Sequence, residues 1–134
     1  LHDIGRKFGV KHLGHIYDGY QYMLKLGYDE AAKICLTHSF SVQNIHDYIG
    51  RFDIGDDEIR ELEEALAAVE YDDYDRLIQL CDSMAGAEGV MAMEDRMSDV
   101  ARRYGSYPQE KWDKNMALKD YFSTKAGKDI YELL

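Results

Sequence analysis

Residues that can bind a metal ion are scattered over the first 82 positions of this 134-residue chain. His2 and Asp3 are adjacent, whereas His15, His38 and Asp82 follow at wide spacing. Imidazole and carboxylate ligands suit divalent ions such as Mn, Fe, Co, Ni, Zn or Mg. The spacing excludes a zinc finger, and the chain has neither a His-Glu-x-x-His run nor a phosphate-binding glycine loop. The sequence therefore predicts a metal site that the fold must assemble from distant segments.

The His2-Asp3 pair is the centre of this predicted site. Neighbouring side chains on a helix point about 100° apart, so the two side chains of such a pair do not normally bind the same ion well within a regular helix. Leu1–Arg6 is typical of a last helical turn that unwinds through Gly5, which would let both side chains converge. A second pair, His46-Asp47, lies in a polar stretch without such an ending, and we interpret it as a surface pair.

Each of the other candidates also has an ordinary structural interpretation. Asp82 lies among apolar residues late in a helical pattern, where an unpaired carboxylate is costly, although it could lie on a helix surface. His38 falls on the inward face of its predicted helix, and Gly19, four residues after His15, leaves space beside that imidazole. Either histidine could instead be a core residue bonded to a backbone carbonyl. The alternative in which none of these residues binds metal therefore stays open.

Composition limits the partners and the fold class. The chain has 16 Lys and Arg residues against 26 Asp and Glu, a formal charge of -10. This charge argues against a nucleic-acid duplex or an anionic membrane as the main partner. It still allows a small phosphorylated substrate, because a metal ion or an arginine can outweigh the overall charge locally. One proline and no alternating β-branched runs favour an all-α protein.

The cellular location is predicted from what the sequence lacks. No apolar run is long enough to span a bilayer, and no signal peptide is visible. Cys35 and Cys81 lie within apolar helical patterns and are interpreted as buried free thiols of a cytoplasmic protein. The chain begins at Leu1 rather than Met, within a helical pattern, and we expect a preceding segment to be missing.

Hydrophobic periodicity predicts the helices that position the candidate ligands. The absence of repeats and linkers predicts one domain over residues 1–134, with a motif-bearing core at 1–86 and a C-terminal helical extension at 87–134. A flexible bend is expected at Ala85–Gly89. The predicted helices span about Lys11–Leu26, Asp29–His38, a short stretch within Ser41–Ile49, Asp57–Val69, Tyr74–Gly86 and Met93–Tyr104, then one opened by a Ser106/Gln109 capping box, and a short one at Ile130–Leu134.

Taken together, these segments resemble a known enzyme family. Leu1-His2-Asp3-Ile4-Gly5-Arg6, His15 with Gly19, His38 at a helix end, and Leu80-Cys81-Asp82-Ser83-Met84 resemble the HD-domain superfamily of metal-dependent phosphohydrolases. The resemblance covers about Leu1 to Ala85. It implies an orthogonal helical bundle with C-terminal accessory helices. Members of the family carry a further histidine on a helix before the His-Asp pair, and no residue of this chain corresponds to it.

The resemblance also implies roles for the candidate residues. His2, Asp3 and Asp82 would bind one divalent ion, and His15 and His38 would bind a second ion or contact the substrate phosphate. Asp3 would orient the attacking water or accept its proton. Arg6 would hold a phosphate oxygen.

The expected reaction is hydrolysis of a phosphoester of a nucleotide or another small metabolite by a metal-activated water. The alternative is an inactive HD-like module that binds a nucleotide or a protein partner. Whether the chain forms homo-oligomers stays open.

Overall fold

Six α-helices build this chain, whose residues 1–134 are all described by a computed structural model. The helices are α1 (Leu13–Lys25), α2 (Asp29–Thr37), α3 (Asp56–Ala68), α4 (Asp73–Ser83), α5 (Met93–Tyr104) and α6 (Gln109–Ala126). Short 3₁₀ helices cover Ile4–Phe8, Ile45–Asp47 and Ile130–Leu133. The one sheet is a hairpin of β1 (Ala85–Gly86) and β2 (Gly89–Val90). The prediction of an all-α, single-domain bundle is confirmed.

The apolar core has two main clusters, which α4 connects because it packs against both α2 and α6. The first cluster lies between α1, α2, α3 and the segments that join them, and comprises Leu13, Ile16, Leu36, Phe40, Ile45, Leu62 and Leu66. The second lies between α4, α5 and the last 3₁₀ helix, with α6 packed against it, and comprises Leu80, Met84, Met93, Met97 and Ile130. This second cluster contains residues from both sides of position 86, so the predicted core and extension share buried side chains.

A buried polar junction fixes α2 against α4. The carboxylate of Asp75 is fully buried and accepts a hydrogen bond of 2.7 Å from the Thr37 hydroxyl. Lys33 Nζ lies 2.9 Å from its other oxygen. Gln79 donates a hydrogen bond of 3.0 Å to the Thr37 carbonyl. A buried carboxylate is stable only when it is paired in this way. The junction therefore sets the end of α2 at a defined position relative to the first half of α4.

Close backbone contact fixes the N-terminal segment against α1. A Cβ atom at Gly5 would lie 1.8 Å from the carbonyl oxygen of His15 and 2.7 Å from the nitrogen of Gly19, so only glycine fits. The space predicted beside Gly19 is filled by the Gly5 backbone and by the side chain of Cys35. The prediction that Leu1–Arg6 is a last α-helical turn is wrong, because Gly5 is a buried residue inside the 3₁₀ helix Ile4–Phe8.

Several predicted boundaries also change. The Ser41–Ile49 stretch forms only the 3₁₀ helix Ile45–Asp47, and the bend at Ala85–Gly89 is part of a hairpin. The Ser106/Gln109 capping box is absent, because α6 begins at Gln109 with Pro108 as N-cap and no side-chain cap bond. The Met93–Tyr104 helix is confirmed.

The two cysteines differ in exposure. Cys35 is buried, as predicted, but Cys81 is exposed, since α4 turns it toward solvent. None of the helices combines the length and the apolar character needed to cross a lipid bilayer.

Candidate metal centre

The five predicted ligands meet at one place in the fold. Asp3 Oδ1 lies 3.2 Å from His15 Nε2 and 3.4 Å from His38 Nε2. His2 Nε2 lies 3.4 Å from Asp82 Oδ1 and 3.8 Å from Asp3 Oδ2. These residues come from the N-terminal turn, α1, the end of α2 and the last turn of α4. The fold thus brings all five predicted ligands together.

Backbone contacts orient the two buried histidines. His15 Nδ1 lies 2.5 Å from the carbonyl oxygen of His12, and His38 Nδ1 lies 2.9 Å from that of Cys35. Because a carbonyl only accepts, each Nδ1 must carry the hydrogen, so each neutral ring presents an Nε2 lone pair to the cluster. This arrangement is usual for histidines that bind metals.

The two Nε2 lone pairs face each other in the cluster. His15 Nε2 and His38 Nε2 lie 3.3 Å apart, and both lie within 3.4 Å of Asp3 Oδ1. Two nitrogen lone pairs and a carboxylate oxygen at these distances repel one another unless a proton or a metal ion lies between them. A donor set that requires a cation at its centre fits a metal ion.

The separations also match those of metal ligands. Bonds of about 2.1 Å from an ion to its ligands place neighbouring ligand atoms roughly 3.0 Å apart in octahedral and 3.4 Å apart in tetrahedral geometry. The group of Asp3, His15 and His38 satisfies this geometry, with separations of 3.2 to 3.4 Å. A second group, His2 with His38 and Asp82, is looser, with all ligand atoms within 4.8 Å of one another. His38 therefore belongs to both groups. This division differs from the expected one, in which Asp3 joins His2 and Asp82.

Electrostatics keeps both carboxylates ionised. Hydrogen bonds from His15 and His38, which the rings donate when Nε2 is protonated, hold the pKa of Asp3 far below its usual range together with Arg6 and outweigh desolvation. Desolvation alone would raise the pKa of Asp82, but the contact with His2 and the attraction of His38 lower it. The hydrogen bond with Asp82 in turn raises the pKa of His2, against the effect of its partial burial. The cluster therefore offers negative charge to a cation at neutral pH.

Burial within the cluster is uneven. His15 and His38 are buried, whereas the side chains of Asp3 and Asp82 are 39% and 38% exposed. The apolar residues around Asp82 do not enclose it, because the adjacent Cys81 is exposed and the last turn of α4 opens into a cavity. This exposure gives the cluster access to solvent and to small molecules.

That cavity has a volume of about 440 Å³ and extends from the cluster to the C-terminal helices. Its walls include Asp3 and Asp82 on one part and residues of α5 and α6 on another. The basic residues that line it are Arg6, Arg96, Arg103 and Lys111. The sequence prediction identified only Arg6 among these four. The seven-residue spacing of Arg96 and Arg103, which puts them on one helix face, was a signal that could have indicated these two, whereas no pattern pointed to Lys111.

Arg6 lies at the edge of the cluster. Its Nε is 3.1 Å from Asp3 Oδ2, and its side chain is 53% exposed. A guanidinium group has five N–H donors, so the contact with Asp3 leaves donors for an oxyanion in the cavity. The position agrees with the predicted contact to phosphate, which remains a prediction.

The two remaining histidines, His12 and His46, lie outside the cluster. His46 is exposed, stacks on Phe52 and lies 3.6 Å from a carboxylate oxygen of Glu63, as expected for a surface residue. Asp47 differs from the prediction, since one of its carboxylate oxygens is buried without a hydrogen-bond partner. His12 accepts a hydrogen bond from the backbone N–H of Arg51.

In comparisons with known proteins, no family model, no curated protein and no solved structure matches this chain.

Proposed function

We propose that this protein is a metal-dependent phosphohydrolase of the HD type, acting on a nucleotide or another small phosphorylated metabolite. The observation that carries the proposal is the convergence of His15 Nε2, His38 Nε2 and Asp3 Oδ1 within 3.4 Å, with both ring tautomers set by backbone carbonyls. A metal ion between these three atoms would satisfy all of them at once, whereas a single proton joins only two. The contact of this group with a basic cavity supports a phosphorylated substrate.

The residues present can hold one or two divalent ions. Asp3, His15 and His38 would hold one ion. Because the single Nε2 lone pair of His38 binds one ion at a time, a second ion would be held by His2 and Asp82, whose ligand atoms lie 3.4 Å apart. A bound divalent ion lowers the pKa of a water molecule from 15.7 to about 7 and so provides a nucleophile at neutral pH. The net charge of -10 does not oppose this role, because an acidic chain attracts metal cations.

The chain's own residues would then perform the positioning. Arg6 would hold a phosphoryl oxygen through its free N–H groups, which neutralises charge as the reaction proceeds. Asp3 would orient the attacking water or accept its proton. The water oxygen bonds to phosphorus while the bond from phosphorus to the leaving oxygen breaks, and that oxygen takes up a proton. The products are an alcohol, or a shorter phosphate, and a phosphate.

The first experiment measures metal content and turnover together. The protein is purified without chelator, its metal is quantified by elemental analysis, and hydrolysis of AMP, ADP and p-nitrophenyl phosphate is measured with Mn, Co, Ni or Mg added. We expect one or two ions per chain. Asp3→Asn should reduce hydrolysis at least about 100-fold, whereas His46→Gln, which changes an exposed histidine outside the cluster, should leave it unchanged.

The same experiment separates the proposal from its alternatives. A chain that binds metal but hydrolyses none of the substrates with any of the ions would be a binding module. A chain that contains no metal and gains none on addition would show that His2, His15 and His38 are structural residues only. Equal hydrolysis by the wild type and Asp3→Asn would contradict the role given to Asp3.

A further inference from the structure

Two cations in the cavity wall have no carboxylate partner. Arg96, on α5, donates one hydrogen bond of 2.8 Å from Nε to the carbonyl of Ala85 and forms no ion pair. Lys111, on α6, donates one of 2.8 Å from Nζ to the carbonyl of Ser39 and also forms none. Both residues line the cavity that contains the metal-binding cluster. The chain has 26 acidic and only 16 basic residues, so carboxylates are available to pair with most of its cations. Two cations without such a partner in one cavity are therefore unusual and leave room for an external anion.

The environment of Lys111 makes its lack of a partner costly. Desolvation lowers the pKa of Lys111 to about 8, and the attraction of Asp47 and Asp82 offsets only part of this effect. A cation held in a desolvated place gains stability when an anion binds beside it. The backbone carbonyl of Ser39 supplies a hydrogen-bond acceptor but no negative charge.

An unpartnered hydroxyl lies in the same cavity. Ser41 lines the cavity, and its Oγ is buried without any hydrogen-bond partner. Buried polar groups nearly always have a partner, so an unsatisfied one in a cavity that also contains two cations without a carboxylate partner indicates a position that a ligand oxygen can fill. A planar guanidinium, an ammonium and a hydroxyl together can donate to several oxygens of one tetrahedral oxyanion.

We propose that Arg96, Lys111 and Ser41 form a second anion-binding subsite, and that the substrate carries a second phosphate group besides the one hydrolysed near Asp3. This inference rests on the proposed phosphohydrolase activity. The cavity volume of about 440 Å³ lies within the range of small-ligand sites and accommodates more than a single phosphate group. The substrate class is therefore a diphosphate or a bisphosphate rather than a monophosphate.

Substrates that differ only in the second phosphate test the subsite. We would measure kcat/KM with Mn²⁺ for AMP, ADP and adenosine 3′,5′-bisphosphate in the wild type and in Arg96→Gln and Lys111→Met. Each variant should lower kcat/KM about 10- to 100-fold for the better of the two doubly phosphorylated substrates, mainly through KM, as expected for a lost charge-assisted hydrogen bond. For AMP the change should stay below about 3-fold. ADP and the bisphosphate distinguish adjacent from separated phosphates.

The matched control is Lys114→Met, which removes an exposed lysine of α6 outside this cavity and should change none of the three kcat/KM values. Circular dichroism and thermal unfolding would show that each variant is folded. Equal losses for AMP and for the doubly phosphorylated substrates, or no loss for either, would overturn the subsite.

A binding measurement separates this inference from the proposed activity. Calorimetric titration of the metal-free protein with inorganic pyrophosphate should show binding that Lys111→Met abolishes and Asp3→Asn preserves. If hydrolysis fails but this pattern holds, the phosphohydrolase proposal is wrong and the subsite stands. If AMP is hydrolysed but pyrophosphate does not bind, or binds equally to Lys111→Met, the subsite is wrong and the activity stands.

Discussion

Replacing His38 by glutamine should remove the stabilisation that a divalent ion gives to the folded chain. His38 Nε2 lies 3.3 Å from His15 Nε2 and 3.4 Å from Asp3 Oδ1, and it belongs to both ligand groups. Loss of this one nitrogen therefore weakens either position. Glutamine has a similar size and remains polar, so the end of α2 should keep its packing.

The magnitude follows from linkage between binding and folding. An ion at 100 times its dissociation constant stabilises the folded state by about 2.7 kcal/mol. At about 2.1 cal/mol/K per residue, the 134 residues give an unfolding entropy of roughly 0.28 kcal/mol/K. The wild type should therefore gain about 10 °C in Tm at that ion concentration. His38→Gln should gain less than about 2 °C at the same concentration.

The assay is thermal unfolding followed by circular dichroism, with EDTA and then with increasing Mn²⁺, Co²⁺, Ni²⁺ or Zn²⁺. The metal-free Tm of His38→Gln falls by roughly 4 °C, because the bond from Nδ1 to the Cys35 carbonyl is lost, at about 1 kcal/mol. The gain on adding metal is therefore compared within each variant. His46→Gln, which changes an exposed histidine, should show the full wild-type gain. The same gain in His38→Gln as in the wild type, or none in the wild type, would refute the metal site.

Three further outcomes follow from the structure. Asp75→Ala should lower the free energy of unfolding by about 3–5 kcal/mol in urea titration, since it leaves buried partners unpaired; a loss below about 1 kcal/mol would contradict the junction between α2 and α4. Gly5→Ala should lower the free energy of unfolding by about 1–3 kcal/mol or more and weaken metal binding, because its Cβ would meet the backbone of α1. The control Gly55→Ala, whose Cβ would meet only the flexible Glu58 carboxylate, should change neither property measurably. Asp53 accepts hydrogen bonds from two backbone N–H groups at the start of α1, and these lower its pKa against desolvation, so Asp53→Ala should cost about 1 kcal/mol at pH 7. A carboxyl group with a lowered pKa stabilises the folded chain at pH values above its ordinary pKa of 3.8, and this stabilisation is lost as the pH falls through the pKa of the folded state. The difference in stability between the wild type and Asp53→Ala should therefore vanish in acid. A difference that does not depend on pH would contradict the ionised contact.

Much of the fold followed from local sequence features. The spacing of apolar residues located all six α-helices, and it placed α5 at Met93–Tyr104, where the structure has it. The same spacing placed His38 on the buried side of its segment. The short elements were less accurate, because the 3₁₀ segments and the hairpin depend on packing against neighbours rather than on a repeating pattern.

The candidate site was predicted in its members but not in its arrangement. His2, Asp3 and Asp82 were expected to share one ion, whereas the structure groups Asp3 with His15 and His38. The tautomers of the two buried rings are set by backbone carbonyls, and no sequence pattern specifies which carbonyl lies near a side chain.

The sequence alone determined the set of residue types and the sign of the overall charge, which are properties of composition. It also determined the helices that carry these residues, because helix formation depends mainly on near neighbours in the chain. Only the tertiary structure decided that α5 and α6 supply cations to the same cavity as the metal-binding cluster. Arg96 and Lys111 look like ordinary solvent-exposed residues in the sequence. They differ from other surface cations because the fold desolvates Lys111, whose one hydrogen bond goes to the Ser39 carbonyl, and leaves both cations without a carboxylate partner. Such a property belongs to the three-dimensional arrangement, since it depends on which groups are absent from the surroundings of a side chain.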